Sequence, residues 1–419
     1  MRIVRMGNLY PPYIVGGNEM LNRDITENLR QRGHEVHILT AHGEAFQDDP
    51  YIHQVFNYSL DEKDNLFLGG RALTPWELFR HHVFDQRTYQ AVKRTLHELH
   101  PDLIVVHNLY MASSAPLLAA RDIPAPIVAE VADKWLLFNL LDWGLVVHPT
   151  RKWHKVVVDE VRRWIQHPLA RKVRLNGIST VSNFIKSLYV QAGFPEEIIE
   201  THYLGIHTDV FKPGPEHPLH HPVRLLFVGG LWEGKGIQVI IEAMQRLSSM
   251  PNLPPFHLDV YGDGSEGFKA HLRELIREAG LETSITFHGF VAWERLVQAM
   301  YDADIFVFAS IWDEPFAITP LQALGCGLPV VATTAGGTAE GYTDEETALL
   351  IPPNDAEAMA QAIACLVQDD ALRHRLRERG LQDVQRRWRF DAYVDRLLDF
   401  YARATERWKK GQNFSLKSL

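Results

Sequence analysis

A lysine and a glutamate in the second half of the chain are the residues whose type and spacing best suit chemistry. The segment FVGGLWEGKG (Phe227–Gly236) leaves a short apolar run, passes through Gly230 and delivers Lys235 at the expected start of a helix. A lysine there can neutralise a diphosphate and stabilise the charge that develops as a group departs from it. The spacing is not the GxxxxGK[ST] of a Walker loop, and a plain surface lysine is the alternative interpretation.

The glutamate, Glu314, lies in the loop just beyond the apolar run Ile305–Phe308, within DADIFVFASIWDEPFAITPLQALGCGLPVVATTAGGTAE (Asp302–Glu340). From that loop its carboxylate can reach sugar hydroxyls. Gln322 follows about two helical turns later, where its amide can hydrogen-bond a ribose diol. Backbone N–H groups at the expected helix start can face a phosphate: those of Ala317, Ile318 and Thr319.

Two more turns that contain glycine follow apolar runs. The turn YGDG (Tyr261–Gly264) ends a predicted strand, where the ligands of open α/β sheets gather. In the first half, PPYIVGGNE (Pro11–Glu19) lies between a strand and a helix, and Gly16 and Gly17 let a phosphate approach the backbone there. This loop does not fit the GxGxxG fingerprint, and a tight turn that needs glycine is the alternative.

The elements that position these loops alternate between short β-branched runs and longer amphipathic stretches. This alternation, with compact apolar runs of the kind buried in parallel sheets, predicts an α/β protein with two doubly wound domains. The predicted strands are Arg2–Met6, His34–Thr40, Leu103–His107, Ile127–Val131, Arg224–Val228, His257–Tyr261, Ile285–Phe287, Ile305–Phe308 and Pro329–Ala332. The predicted helices include Glu19–Gln31, Gly236–Leu247 and Ala270–Ala279.

The length of 419 residues exceeds one ordinary core and suits two domains. The prolines of KPGPEHPLHHP (Lys212–Pro222) disfavour both helix and sheet, so we place the hinge there. The predicted organisation has four parts. They are an N-terminal Rossmann-like domain over 1–212, a linker over 213–222, a second Rossmann-like domain over 223–390, and a C-terminal helix over 391–419.

Composition narrows the class of protein. Hydrophobic and charged contents of 46% and 23% are typical of a globular chain, and the formal charge of −9 disfavours a nucleic-acid partner. Two cysteines, Cys326 and Cys365, are too few for a disulfide framework, which favours a reducing compartment. The N-terminus lacks the apolar core of a signal peptide, and no stretch has the roughly 18 apolar residues of a membrane span. We expect a cytoplasmic protein.

One basic stretch bears on location. The segment RKWHKVVVDEVRRWIQHPLARKVR (Arg151–Arg174) carries eight lysines and arginines beside apolar residues at near-helical spacing. Such a helix can rest on anionic lipid, so peripheral contact with the inner face of a membrane is one hypothesis. Packing of the apolar stripe on the first domain is the favoured interpretation.

The remaining candidate groups are predicted to be structural, and no metal site is predicted. Asp302–Asp304 resembles a metal-binding Asp-x-Asp but lies between a helix and a strand. The pairs His81–His82 and His220–His221 are expected to be solvated, since the histidines show no HExxH spacing. His107 follows a strand and either lines the binding site or is a satisfied core histidine.

Taken in order, these motifs resemble the retaining GT-B glycosyltransferases of family 4, or group 1. The usual pattern there is a glutamate, seven residues, a second glutamate, a Gly-x-Pro-Val-Val strand and a Gly-Gly-x-x-Glu end. Similarity extends over nearly the whole chain, including RGHEVHILT (Arg32–Thr40). The resemblance implies two Rossmann-like domains that face each other across a cleft. The donor binds mainly to the second domain, the acceptor to the first, and RFDAYVDRLLDFYARA (Arg389–Ala404) crosses back to the first.

Residue by residue, the resemblance implies that Glu314 lies near the transferred sugar and Lys235 at the diphosphate, with Asp133 as a third catalytic group. Backbone groups around Gly17 and Ile318 also meet phosphate, and His288 and Phe290 lie beside the base. The other donor-binding positions are Gly16, Gly230, Gly262, Asp263, Phe316, Ala317, Thr319 and Gln322. The acceptor-side positions are His107, Asp133 and Trp135.

This sequence departs from the family pattern at several positions. Gln322 replaces the second glutamate, and Gly230 stands where an arginine often accompanies the lysine. Ala132 stands where many members carry an active-site histidine, although Asp133 beside it fits a variant of that motif. Two further differences lie in YLGIHTDVF, where the family commonly has Asn and Asp: Leu204 and His207.

The function implied is transfer of a hexosyl group from a nucleotide sugar to a hydroxyl, with retained anomeric configuration and without a metal or other cofactor. A UDP-glucose-like donor is favoured over a GDP-mannose-like one. The acceptor is left open among polysaccharide precursors, lipid carriers, natural products and small sugar phosphates, as in sucrose-phosphate synthesis. Two rivals remain: a nucleotide-sugar epimerase of the same fold, and a degenerate, catalytically silent sugar-nucleotide binding protein.

Overall fold

The apolar runs predicted as strands form two parallel sheets, one in each of two units of the chain. The computed structural model describes residues 1–46, 49–61, 77, 80, 81, 83–110, 112–140 and 168–414. The first unit consists of Met1–His202 and Val394–Leu419, and the second is Tyr203–Tyr393. The α/β class and the two Rossmann-like, doubly wound sheets predicted from the sequence are thereby confirmed.

The sheet of the first unit has seven strands in the order β3-β2-β1-β4-β5-β6-β7, and every pairing is parallel. The chain order reverses between β1 and β4, which makes the carboxyl ends of these two strands the ligand-binding edge of a doubly wound sheet. The strands are β1 (Arg2–Gly7), β2 (Glu35–His42), β3 (Ile52–Ser59), β4 (Leu103–Asn108), β5 (Ile127–Val131), β6 (Gly177–Thr180) and β7 (Ile199–Thr201).

The sheet of the second unit has six parallel strands in the order β10-β9-β8-β11-β12-β13. This is the Rossmann order, with its switch point between β8 and β11. The strands are β8 (Val223–Val228), β9 (Phe256–Tyr261), β10 (Ile285–Gly289), β11 (Ile305–Phe308), β12 (Val330–Thr333) and β13 (Leu349–Ile351).

Helices connect the strands and cover the sheets. Several begin at a serine or aspartate whose side chain accepts a backbone N–H of the first turn, which satisfies a donor that the helix itself cannot. These caps are Asp85, Ser182, Ser265, Asp355 and Asp369. The helices are α1 (Gly17–Gln31), α2 (Gln86–Leu99), α3 (Ala115–Arg121), α4 (Trp135–Leu140), α5 (Asn183–Gln191), α6 (Ile237–Ser249), α7 (Glu266–Glu278), α8 (Trp293–Tyr301), α9 (Thr319–Gly325), α10 (Ala356–Gln368), α11 (Asp370–Arg387) and α12 (Phe390–Lys409).

All nine predicted strands and the three named helices are present, with ends that differ by a few residues. Four strands were not predicted: β3, β6, β7 and β13. Of these, β3, β7 and β13 lie at sheet edges. In β3 only Phe56 is fully buried, so the continuous apolar run that marks a central strand is absent. The edge strands β7 and β13 have three residues each.

The proline-containing segment before β8 belongs to the second unit. Ile206 N–H bonds to the carbonyl of Trp388, and Gly214 N–H bonds to the carbonyl of Cys326. The division between the units therefore falls after His202, ten residues before the predicted end of the first domain. The roles assigned to the domains remain predictions.

Helix α12 begins in the second unit, and its residues from Val394 onward belong to the first. Phe400 packs against Gly177, where a Cβ atom would lie 2.7 Å from its ring, and Arg403 pairs with Glu200 at 2.5 Å. Among the described helices, none has the length and apolar content needed to cross a bilayer. Residues 151–167 of the basic segment lie outside the described residues, so peripheral membrane contact remains a prediction.

A buried ion pair joins two strands of the first sheet, and a tyrosine of α12 bonds to both of its partners. The guanidinium of Arg5, on β1, contacts both carboxylate oxygens of Glu130, on β5, at 3.2 and 2.7 Å, and both side chains are 5% exposed or less. The hydroxyl of Tyr401, on α12, contacts Arg5 at 3.1 Å and donates to Glu130. Burial alone would raise the pKa of Glu130, but the charge of Arg5 and the bond from His107 hold it well below its ordinary value.

We predict that Glu130→Gln lowers the unfolding free energy of the first unit by about 3–5 kcal/mol, because Arg5 keeps a buried charge without its partner. Because the folded pKa of Glu130 is depressed, the pair contributes fully above the ordinary value of 4.5, and its contribution is lost as pH falls through the folded pKa. Urea unfolding at pH 7 measures the loss.

Glu27→Gln is the matched control, since Glu27 faces Arg23 at 3.7 Å on the surface of α1 with 55% of its side chain exposed. Its urea midpoint should stay at the parent value. Equal midpoints for both variants would show that the buried pair stabilises the unit no more than a surface pair does.

Candidate functional site

Lys235 and Glu314 meet at the switch point of the second sheet. Lys235 ends the 3₁₀ turn Glu233–Lys235 that follows β8, and Glu314 lies in the loop that follows β11. Because β8 and β11 are neighbouring parallel strands, both loops leave the same edge of the sheet. The Nζ of Lys235 lies 2.6 Å from Oε1 of Glu314. The structure therefore brings together the two side chains that the sequence singled out.

Glycine-dependent contacts fix the lysine loop against the glutamate loop. Gly236 has a φ of +71°, and a Cβ there would lie 1.8 Å from the carbonyl oxygen of Ala309. The carbonyl of Gly234 accepts the N–H of Ile311 at 2.9 Å and the hydroxyl of Ser310 at 3.0 Å. The position of Lys235 therefore depends on backbone contacts that tolerate no side chain at Gly236.

Glu314 is held through both its side chain and its backbone. The hydroxyl of Ser310 lies 2.7 Å from the same Oε1 atom that Lys235 contacts. The backbone carbonyl of Glu314 accepts the N–H of Gly337 at 2.7 Å, and Gly336 reaches this position with a φ of +56°. The Glu314 side chain is 6% exposed, against 25% for Lys235. Sequence analysis missed Ser310, because only the folded loop shows that its hydroxyl turns towards Glu314.

The residues that follow Glu314 are largely buried and lead into a helix. Phe316 and Ala317 are buried, and the Ala317 carbonyl accepts the hydroxyl of Tyr342 at 3.3 Å. Helix α9 begins at Thr319, with Ile318 as its cap residue. Gln322 is half-buried on the same helix, whereas its neighbours Leu321 and Ala323 are fully buried. Its proposed contact with ribose remains a prediction.

The YGDG turn packs directly on the lysine loop. Gly262 has a φ of +140°, and a Cβ there would lie 1.9 Å from the carbonyl oxygen of Gly229. The carbonyl of Asp263 accepts the N–H of Leu231 at 2.8 Å, while its carboxylate pairs with Lys269 at 2.8 Å. The bond from Lys269 lowers the pKa of Asp263. Gly230, by contrast, is exposed, and a Cβ there would meet only Trp232, at 3.8 Å.

The residues predicted beside the base lie at the end of β10. Nε2 of His288 is 2.7 Å from Asp259, and its ring stacks on Tyr261 with centroids 4.3 Å apart. Burial would raise the pKa of Asp259, but His288 and Arg224 lower it. Phe290 is 87% exposed, so its ring is open to a ligand. Contact of either residue with a base remains a prediction.

In the first unit, the loop after β1 carries Gly16 and Gly17, and both glycines are exposed with open space around them. The carboxylate of Glu19 accepts the N–H groups of Val15 at 3.2 Å and Gly16 at 2.8 Å. The carboxylate of Glu19 thus already binds some of the backbone N–H groups that the sequence assigned to a phosphate. A phosphate here would have to compete with that carboxylate for the Gly16 amide.

The acceptor-side candidates form a connected chain in the same unit. His107 is 4% exposed, and its ring nitrogens lie 3.3 Å from Glu130 and 3.1 Å from the Asn18 carbonyl, as expected for a satisfied core histidine. The Asn18 side chain donates to Asp133 at 3.1 Å. Trp135 is 1% exposed, and its backbone N–H donates to Asp133 at 2.6 Å. Burial raises the pKa of Asp133.

Of these candidates, Asp133 is half-buried, whereas the side chains of His107 and Trp135 are buried in the core around it. Sequence analysis missed Asn18, which follows the glycine pair and orients Asp133.

The expectation that the paired histidines are solvated is wrong for His81, holds for the exposed His221 and is met only in part by the half-buried His220. His81 is buried, with its ring edge-on to Tyr58 at 5.6 Å, while His82 lies outside the described residues. His220 is bonded to Asp304, with Nδ1 3.0 Å from Oδ1. The structural role predicted for Asp304 agrees with its contacts, since its carboxylate also accepts the backbone N–H of Arg224 at 2.7 Å.

Comparison with known proteins covers both units. The family described as "Glycosyl transferases group 1" matches residues 215–383, and the family described as "Glycosyltransferase Family 4" matches residues 15–210. The chain is 30% identical over 183 residues to the putative colanic acid biosynthesis glycosyltransferase WcaL of Escherichia coli K12, covering 42% of this chain and 44% of that one. The chain spans less than half the length of this relative and of two others, 44–47%.

Solved structures resemble the chain over almost its full length. Sucrose-phosphate synthase from Thermosynechococcus elongatus is similar with a TM-score of 0.72 and 18% identity, covering 96% of this chain and 98% of that one. Anabaena HepE in complex with UDP-glucose is similar with a TM-score of 0.66 and 18% identity, covering 96% and 99%. At such identities the likeness shows a shared fold.

We predict that Gly236→Ala destabilises the second unit by about 3 kcal/mol or more, because the left-handed backbone and the overlap with Ala309 both oppose a methyl group. Gly280→Ala is the matched control: its φ is +69°, but nothing lies within 4 Å of the added atom. It should cost only the backbone term of about 1 kcal/mol. Thermal unfolding of both variants measures these costs, and equal decreases in stability would refute the close packing of the lysine loop.

Proposed function

Because the chain belongs to the group 1, family 4 type of GT-B glycosyltransferases, we propose that it transfers a hexosyl group from a nucleoside diphosphate sugar to a hydroxyl acceptor with retention of configuration. The observation that carries the proposal is the Lys235–Glu314 pair at the switch point of the second sheet. An ammonium suits the diphosphate of such a donor, and a carboxylate suits its sugar hydroxyls. The pair thus matches the two chemically different halves of one substrate.

Lys235 is assigned to the diphosphate. One of its three N–H donors goes to Glu314, and we assign the others to phosphate oxygens. As the bond between the anomeric carbon and the phosphate oxygen breaks, negative charge grows on the diphosphate. A fixed ammonium stabilises that charge more in the transition state than in the bound donor, which is the condition for faster transfer. In this scheme the lysine supplies the charge, and the reaction needs no metal.

Glu314 is assigned to the transferred sugar. Its Oε1 atom is engaged by Lys235 and Ser310, so we assign Oε2 to the sugar hydroxyls. Ser310 and Lys235 hold the carboxylate, and the Gly337 amide holds the backbone carbonyl of the same residue, so Glu314 is positioned before the donor arrives. Such preorganisation lowers the entropy lost when the sugar is fixed for attack.

For the nucleotide we propose UDP. HepE, which has the same fold, is described in complex with UDP-glucose. Gln322 is assigned to the ribose hydroxyls, and the exposed ring of Phe290 to the base. The acceptor hydroxyl is assigned to Asp133, whose raised pKa makes its carboxylate a better proton acceptor than an ordinary aspartate.

The assignment of Lys235 predicts that Lys235→Ala weakens UDP binding about 10- to 100-fold and leaves uridine binding unchanged, because the lost contact is to phosphate. Isothermal titration with UDP and with uridine measures both affinities. Lys93→Ala is the matched control, since Lys93 pairs with Asp122 at 2.9 Å outside the site. Equal weakening of the two ligands by Lys235→Ala would argue against diphosphate contact.

The proposed activity is tested with the full chain, a panel of UDP-, GDP- and ADP-sugars and a panel of hydroxyl acceptors. We expect one donor to yield a glycosylated product whose anomeric proton coupling in NMR shows retained configuration. Glu314→Ala should abolish the product and leave UDP affinity within a few-fold of the parent. An inverted product would refute retention alone.

The same experiment separates the rival functions. Conversion of the donor to its epimer without an acceptor would establish an epimerase. UDP binding without transfer or epimerisation across the panel would establish a silent sugar-nucleotide binding protein. Unchanged turnover in Glu314→Ala would remove the role assigned to that residue.

A further inference from the structure

A second cluster of polar side chains lies at the opposite end of the strands that carry Lys235 and Glu314. His217 and His220 belong to the segment that leads into β8, and Asp304 immediately precedes β11. The donor loops leave the carboxyl ends of these two strands, whereas this cluster lies at their amino ends. The proposed transfer reaction makes no use of it.

The three side chains converge on a small volume. Nδ1 of His220 lies 3.0 Å and Nδ1 of His217 lies 3.7 Å from the same atom, Oδ1 of Asp304. The two imidazole centroids are 4.6 Å apart, and the three potential ligand atoms all lie within 4.8 Å of one another. In a tetrahedral zinc site with bonds of 2.0–2.2 Å, the ligand atoms are about 3.4 Å apart. The two observed N···O separations, 3.0 and 3.7 Å, fall on either side of that value.

The surroundings favour a bound cation. Nε2 of His217 lies 3.1 Å from the carbonyl of Tyr301 and can donate its N–H there when Nδ1 binds a metal. Nδ1 of His217 also lies 3.0 Å from the Pro218 carbonyl, a contact that a metal would replace. Oδ2 of Asp304 accepts the Arg224 N–H at 2.7 Å, so the carboxylate is oriented from behind.

The two histidines of the cluster are partly exposed to solvent, whereas the aspartate is buried. The Asp304 side chain is 1% exposed, whereas those of His217 and His220 are 29% and 39% exposed. A cation can therefore enter from solvent and retain water in its fourth position. Cys326 lines the adjoining cavity, but it does not belong to the group whose ligand atoms all lie within 4.8 Å of one another.

We propose that His217, His220 and Asp304 form a binding site for one divalent transition-metal ion of the zinc type. Two imidazole nitrogens and one carboxylate favour zinc over calcium or magnesium, which prefer oxygen ligands. The ion joins the segment before β8 to the start of β11. The site is independent of the proposed transferase activity.

The test uses the full-length protein, stripped with chelator and titrated with Co²⁺ and Zn²⁺ as the metal chlorides. We expect one equivalent of Co²⁺ to give the visible absorption of a four-coordinate ion, which Zn²⁺ then displaces. His217→Ala and His220→Ala should each weaken binding at least 10-fold. His221→Ala is the matched control, because His221 is an exposed neighbour outside the cluster, and it should bind as the parent does.

Two readouts keep the result interpretable. UDP affinity and far-ultraviolet circular dichroism should be the same in all four proteins, which shows that the variants are folded. Zinc should raise the thermal midpoint of the parent and of His221→Ala by several degrees, but not those of the other two variants. Equal affinity in His217→Ala and the parent, an equal loss in His221→Ala, or the absence of a four-coordinate Co²⁺ spectrum would each overturn the proposal.

Discussion

The ion pair between Lys235 and Glu314 is the interaction on which the account of this protein depends. It exists because β8 and β11 are neighbours at the point where the strand order of the second sheet reverses. The loops that follow them meet there, and Gly236 and Gly336 allow the backbones to approach closely. The strands β8 and β11 and the loops that follow them hold one ammonium and one carboxylate 2.6 Å apart at the edge of the sheet.

The pair also sets a balance for ligand binding. Glu314 holds Lys235 in place but competes with any diphosphate for its charge, and it is the more buried partner. At the position where the family resemblance implies that an arginine often accompanies the lysine, this chain has Gly230, which is exposed. In the proposed function the diphosphate therefore relies on the Lys235 ammonium and on backbone N–H groups. The first unit has a similar arrangement, since the carboxylate of Glu19 accepts the Gly16 N–H that a phosphate would otherwise accept.

The sequence was sufficient for features that leave a local pattern. Strand–helix alternation and the order of the loop motifs predicted both sheets and placed Lys235 and Glu314 at one edge. Features that depend on which strands pair could not be read in advance. Ser310 contacts Glu314 and His288 contacts Asp259 only through the folded loops and the β9–β10 pairing, and no spacing rule encodes them. His220 looked solvated because its partner, Asp304, is 84 residues away in sequence.

The most direct measurement is a crystal structure of the full chain with UDP-glucose bound. The account predicts that Nζ of Lys235 lies within about 3.2 Å of a diphosphate oxygen, and Oε2 of Glu314 within the same distance of a sugar hydroxyl. A donor bound at the end of β8 and β11 but turned so that its sugar faces Lys235 and its phosphates face away would contradict the assigned roles. A donor bound away from both side chains would contradict the account itself.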